Sequence, residues 1–146
     1  MIELFVSIAL SLNPGDVYAM SKERCAEAWA SADADGDGFI TKAEGGRYLA
    51  AVGAGDKSIS EGRLSHSDFT KHCEAGLFDS FFNMAAPVKG ANSFTEREAR
   101  ERVLGRGYRN VSQLRIDRDG VWRGTAELNG IQIEVAVDYK GNVVPK

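Results

Sequence analysis

Apolar residues in this chain first recur every three or four positions and later every second position. In residues 21–32, Cys25, Ala28, Trp29 and Ala32 mark one helix face, with Ser21 placed to cap it and Glu23 and Arg24 in its first turn. Residues 45–52 continue with Tyr48, Leu49 and Val52, although Gly45 and Gly46 each weaken a helix by about 1 kcal/mol relative to Ala. From Asp68 onward, Phe69, Cys73, Leu77, Phe81 and Met84 form a helical stripe that Phe78 and Phe82 widen, a core or a seam rather than a cofactor pocket. Residues 87–92 (Pro-Val-Lys-Gly-Ala-Asn) break the pattern and read as a linker. Thr95 and Glu98 have capping-box spacing and open a short helix with Ala99, Val103 and Leu104 on its apolar side and Gly105 at its end.

The period then changes to two. Residues 111–116 predict a strand, 117–120 a turn, 121–128 a second strand, Asn129-Gly130 a two-residue hairpin and 131–137 a third strand. Ile131, Ile133, Val135 and Val137 alternate strictly, so one sheet face is expected to be buried under the helix. Residues 138–142 predict a last turn and Val143-Val144 a short edge strand. The fold class is α+β, with helices first and then a helix on a small antiparallel β-meander.

Residues 33–44, between the first two helical patterns, carry the densest chemistry. Asp33, Asp35, Asp37, the carbonyl of Phe39, Thr41 and Glu44 occupy positions one, three, five, seven, nine and twelve of a twelve-residue loop, the spacing from which a chain surrounds Ca²⁺ with oxygens. Gly38 holds the sixth position, where the loop turns sharply, and Ile40 the eighth, where an apolar residue pairs with a partner loop. An acidic surface turn would not require a Glu six residues after Gly38. The segment resembles an EF-hand, and the aromatic Trp29, four residues before the loop, fits that resemblance. Residues 57–68 fit the same frame with Gly62 sixth, Leu64 eighth and Asp68 twelfth. Lys57 and Ile59 replace two ligands there, so the expectation is a degenerate hand that braces the first through Ile40 and Leu64; an unrelated Ser/Gly loop is the alternative.

Composition and charge narrow the functional classes. The 146 residues carry a formal charge of −3, with 43% apolar and 27% charged residues, an ordinary globular balance. Neither half has the basic stripe of a nucleic-acid binder, and no stretch has the length of a membrane span, so neither nucleic acid nor stable membrane insertion is expected. The apolar run at residues 4–12, the breaker Asn13-Pro14-Gly15 and the small residues Val17 and Ala19 read as a secretory signal over residues 1–19, although Met1-Ile2-Glu3 lacks a basic residue; a short buried strand or helix is the alternative. The expected units are therefore 20–86 and 93–146 around the 87–92 linker, in a periplasmic or secreted protein, or a cytoplasmic one if residues 1–19 are not a signal.

Cys25 and Cys73 lie on helices that an EF-hand pair would set side by side, so a disulfide is expected, with two buried free thiols as the alternative. His66 and His72 flank Asp68 and Phe69 and read as solvated residues at a helix start rather than as a zinc site. Asp117 and Asp119 read as a hairpin turn, because Leu128 stands where a second calcium loop would need a carboxylate. No nucleophile beside a base is legible, so no enzymatic activity is expected.

Residues 94–144, with Gly107-Tyr108, Asp119-Gly120-Val121-Trp122, Asn129-Gly130 and Val137-Asp138 followed by Gly141-Asn142-Val143, resemble a PepSY-type domain. That resemblance implies a bacterial extracytoplasmic setting and protease inhibition or regulation. The functional expectation is a calcium-binding protein whose metal loop orders or regulates a C-terminal module that engages a protein partner. A purely structural calcium beside an always competent inhibitor or docking sheet is the alternative.

Overall fold

The computed structural model describes residues 14–82 and 84–146, with side chains from Lys22 onward. The apolar run at residues 4–12 lies outside the described residues. Helix α1 spans Pro14–Ala32 and begins seven residues before Ser21. Proline suits the first position of a helix, where its fixed φ is preorganised and its missing N–H leaves nothing unpaired. Ser21 is therefore inside α1 and does not cap it.

After the acidic loop, β1 (Phe39–Thr41) leads directly into α2 (Lys42–Val52). Helix α2 starts three residues earlier than expected because Glu44 reaches back to its N-terminus, where its Oε2 accepts the Thr41 N–H at 3.0 Å and the Thr41 hydroxyl at 2.9 Å. Gly45, at φ −158° and ψ 56°, interrupts the helical backbone and separates that first turn from the body of α2.

Within residues 57–68, β2 (Ile59–Ser60) and β3 (Arg63–Ser65) form a hairpin around Glu61 at φ 54° and Gly62 at φ 71°, and the last three residues already belong to the next helix. Strand β3 lies between β1 and β2, with Ile40 opposite Leu64 and both fully buried. The pairing of β2 with β3 is an addition that the loop frame did not predict. Helix α3 (His66–Glu74) is capped by Ser65, whose Oγ accepts the Asp68 N–H. The long stripe expected from Asp68 onward is broken here: Gly76 at φ 84° reverses the chain before the short α4 (Asp79–Phe82). Phe78, expected to widen the stripe, is fully buried, whereas Leu77, expected on the stripe itself, is 42% exposed. Tyr48 meets Phe69 and Phe78 edge-on, with ring centroids 5.1 and 5.0 Å away.

In the C-terminal half, α5 (Glu96–Gly105) is capped by Thr95 and buries Ala99 and Val103, while Leu104 faces solvent rather than the core. Strands β4 (Arg115–Ile116), β5 (Trp122–Leu128), β6 (Ile131–Val137) and β7 (Val143–Pro145) form an antiparallel sheet in that order. The first expected strand shrinks to Arg115 and Ile116: α5 takes two backbone groups before it, Arg100 donating to the Val111 carbonyl and Glu96 accepting the Leu114 N–H, while the Ser112 N–H still donates to the Thr125 carbonyl of β5. Asn129 and Gly130, at φ 49° and 81°, make the β5–β6 hairpin turn.

Residues 87–92 are not a free tether. The Val88 N–H donates to Asp138 Oδ2, the Gly90 N–H to the Asp119 carbonyl and the Asn92 side chain to the Gly120 carbonyl, so the segment is a strap bound to the sheet's turns. The two halves also share α2. Its Tyr48 and Leu49 enter the helical core, while Ala50 enters the sheet core and Gly46 lies against Ile133. Asn129 donates to the Ala50 carbonyl at 2.9 Å, and the Arg47 N–H donates to the Lys146 carbonyl at 3.1 Å.

Candidate metal centre

The acidic loop is anchored at both ends, by the partly buried Trp29 and the fully buried Ile40. At its start, the Asp33 N–H continues the α1 ladder by donating to the Trp29 carbonyl, and Trp29 packs on Phe69 with centroids 5.4 Å apart. At its end, Ile40 is locked into β1 opposite Leu64. A disulfide joins Cys25 on α1 to Cys73 on α3, with Cα atoms 5.9 Å apart. Between the anchors the chain turns at Gly36 and Gly38, at φ 70° and 88°, where a side chain would be strained.

This path brings the carboxylates of Asp33, Asp35 and Asp37 together, one oxygen of each within 4.8 Å of the others. Backbone N–H groups orient them: Asp37 donates to Asp33 Oδ1 at 3.2 Å and to Asp35 Oδ1 at 3.0 Å, Gly38 to Asp33 Oδ2 at 3.1 Å and Phe39 to Asp37 Oδ1 at 2.9 Å. Glu44 bends over the loop, its Oε1 accepting the Asp35 N–H at 3.4 Å, and Thr41 lies beside it through its hydroxyl bond. Phe39 is in β1, its ring beneath the Arg63 guanidinium at 4.3 Å. Of the six positions expected as ligands, the structure gathers the three Asp carboxylates, and Glu44 is joined to them through the Asp35 N–H.

The electrostatics follow from this crowding. Asp35 is shifted upward: the hydrogen bond from the Asp37 N–H acts against the shift, but desolvation and repulsion from the Asp37 and Glu44 charges outweigh it. Glu44 is held below the usual carboxylate range, chiefly by the N–H and then the hydroxyl of Thr41. A set of oxygens without nitrogen or sulfur, carrying excess negative charge, suits a hard cation.

The second loop is chemically different. Ile59 pairs with Leu64 in the hairpin, and Ser65 and Asp68 are engaged with each other at the start of α3, Oγ to Oδ2 at 2.9 Å. His66 is exposed at the first position of α3, as the solvated reading expects, with its ring tilted against Trp29 at 4.5 Å, whereas His72, in the last turn of α3 and only 20% exposed, does not fit that reading. His72 Nε2 lies 2.8 Å from Ser58 Oγ, a hydroxyl–imidazole pair that the sequence did not reveal because fourteen residues separate the two. Asp56 approaches the same Nε2 at 4.0 Å, whereas a catalytic triad needs its acid on Nδ1. The carboxyl of Asp56 is lowered mainly by the Ser58 N–H, with the Ser58 hydroxyl next, so it serves the turn more than the imidazole.

Among the described residues, no helix is long and apolar enough to cross a membrane. No family model, no curated protein and no solved structure matches the chain.

Proposed function

We propose that this protein is a calcium-binding, non-enzymatic, exported protein in which the EF-hand-like loop 33–44 regulates a PepSY-like C-terminal module that engages a protein partner. The observation that carries the reading is the convergence of Asp33, Asp35 and Asp37 under Glu44, on a loop whose exit helix is bound to the C-terminal sheet. Asp33, Asp35, Asp37, the Phe39 carbonyl, Thr41 and Glu44 would hold the ion. Calcium supplies the positive charge that offsets the repulsion now raising Asp35. Glu44 would complete the ligand set, which would compete with its present bonds to Thr41, and the non-helical backbone at Gly45 separates the turn containing Glu44 from the body of α2. The next two residues, Gly46 and Arg47, lie against Ile133 and Lys146, which couples that turn to the sheet. The disulfide is consistent with an oxidising compartment.

A second reading, a structural calcium beside an always competent inhibitor or docking sheet, is favoured by the closed state of the loop, in which Glu44 already accepts the Asp35 N–H. Titration calorimetry with Ca²⁺ and Mg²⁺, run beside far-UV circular dichroism, tests both. One calcium per chain with a spectral change supports regulation, one calcium without it supports the structural role, and no binding overturns both.

A further inference from the structure

The sheet has a second face, turned away from α5, with its own arrangement of residues. The pairing registers place Arg115 opposite Arg123, Arg123 opposite Ala136 and Ala136 opposite Val144, so one row crosses all four strands with two cations at one end and two small apolar residues at the other. With strands about 4.8 Å apart, the row is roughly 14 Å long. It forms part of a cleft of about 610 Å³ that is also lined by Ala86 and by Pro87 of the strap.

The charges along this row are unbalanced. Arginines directly opposite each other in a ladder repel, yet only Arg123 is neutralised, by Asp117 at 2.6 Å. Among the described residues Arg115 has no ion-pair partner. At the other border of the cleft Lys146 and Glu134 offset each other, 3.8 Å apart, so the excess positive charge is concentrated at the β4–β5 end. An apolar cleft of this size with a few convergent polar groups has the character of a small-molecule site.

We infer that this face binds a small amphipathic organic anion, with its acid group at Arg115 and Arg123 and its apolar body lying over Ala136 and Val144 beside Pro87. Two guanidinium groups facing one acid give charge-assisted, directional hydrogen bonds, and the ligand's charge relieves the repulsion between them. The short side chains of Ala136 and Val144 leave room for a hydrocarbon or aromatic body. The site uses none of the calcium-loop residues.

Fluorescence titration of the full chain with 1-anilinonaphthalene-8-sulfonate, and with the uncharged N-phenyl-1-naphthylamine, tests the inference. The sulfonate is expected to bind, to be displaced by dodecanoate but not by acetate, and to bind at least about tenfold more weakly to Arg115→Ala, which removes one charged donor. The uncharged dye is expected to bind more weakly than the sulfonate and to be affected less than twofold by the same substitution. Val144→Glu, at an edge-strand position that is already partly exposed, is expected to abolish binding of both, with unchanged circular dichroism as the control for folding. Equal affinity for the two dyes, or sulfonate binding within twofold of wild type in Arg115→Ala, would overturn the inference, as would capture of an acidic peptide segment with no binding of sulfonate or dodecanoate.

Discussion

Gly46 lies so close to Ile133 that a Cβ on Gly46 would stand 2.9 Å from Ile133 Cγ2 and 3.1 Å from the Lys146 carbonyl oxygen. Helix propensity alone favours Gly46→Ala by about 1 kcal/mol. Overpacking a close helix–sheet contact costs about 1–3 kcal/mol, and half of this contact is backbone that cannot turn aside. The expected outcome is a net loss of stability in urea unfolding, reduced when Ile133→Ala is present in the same chain. Wild-type stability in Gly46→Ala would show that α2 and β6 are not tightly joined.

Calcium is expected to raise the unfolding midpoint, by about 2.7 kcal/mol of added stability when the free ion is at a hundred times its dissociation constant. Glu44→Gln keeps a side chain that can accept from Thr41 but removes a charge from the loop, and is expected to abolish both the titration heat and the stabilisation. Asp68→Asn is expected to leave the stoichiometry at one, because Asp68 is already engaged by Ser65. Two equal sites would mean that the second loop binds an ion after all.

The Cys25–Cys73 bond closes a loop of 48 residues, which by the chain-entropy argument stabilises the fold by about 4 kcal/mol. Cys25→Ala with Cys73→Ala is expected to lower the denaturant midpoint strongly while preserving calcium stoichiometry. Mass measurement with and without reductant before unfolding checks that the native bond is intact, and equal midpoints for the two proteins would refute the expectation.

Asp138 is fully buried in the turn before β7, where it accepts from the N–H groups of Val88, Lys140 and Asn142 and from the Asn142 side chain. Desolvation pushes its carboxyl up, but the Asn142 side chain and those three N–H groups together hold it below the ordinary value of 3.8. A carboxylate depressed by folding contributes stability that is complete above its unfolded value and is lost as the pH falls through the folded one. Unfolding midpoints should therefore drop below about pH 4. Asp138→Asn should lose about 2 kcal/mol at neutral pH and show a flatter acid limb. An identical acid limb in the variant would assign the sensitivity to other carboxylates.

Local chemistry sufficed for much of this protein. The spacing of Asp33, Asp35, Asp37 and Glu44, the positive-φ glycine at position 38, the Asn129-Gly130 turn, the Thr95 cap and the alternation through Ile131 to Val137 are each decided within a few residues, where sterics and short hydrogen bonds dominate. The α+β class followed from the change of hydrophobic period, and the facing of Ile40 and Leu64 from their equivalent loop positions. Tertiary packing decided the remainder. Gly46 reads as a weak helix residue until the sheet arrives to occupy the space that its missing side chain leaves. The segment 87–92 reads as a linker until Asp119, Gly120 and Asp138 from distant turns accept its N–H groups. The Ser58–His72 pair and the Arg115–Arg123–Ala136–Val144 row depend on strand register and helix placement, which are set by the burial of surfaces far apart in the chain and have no local signature.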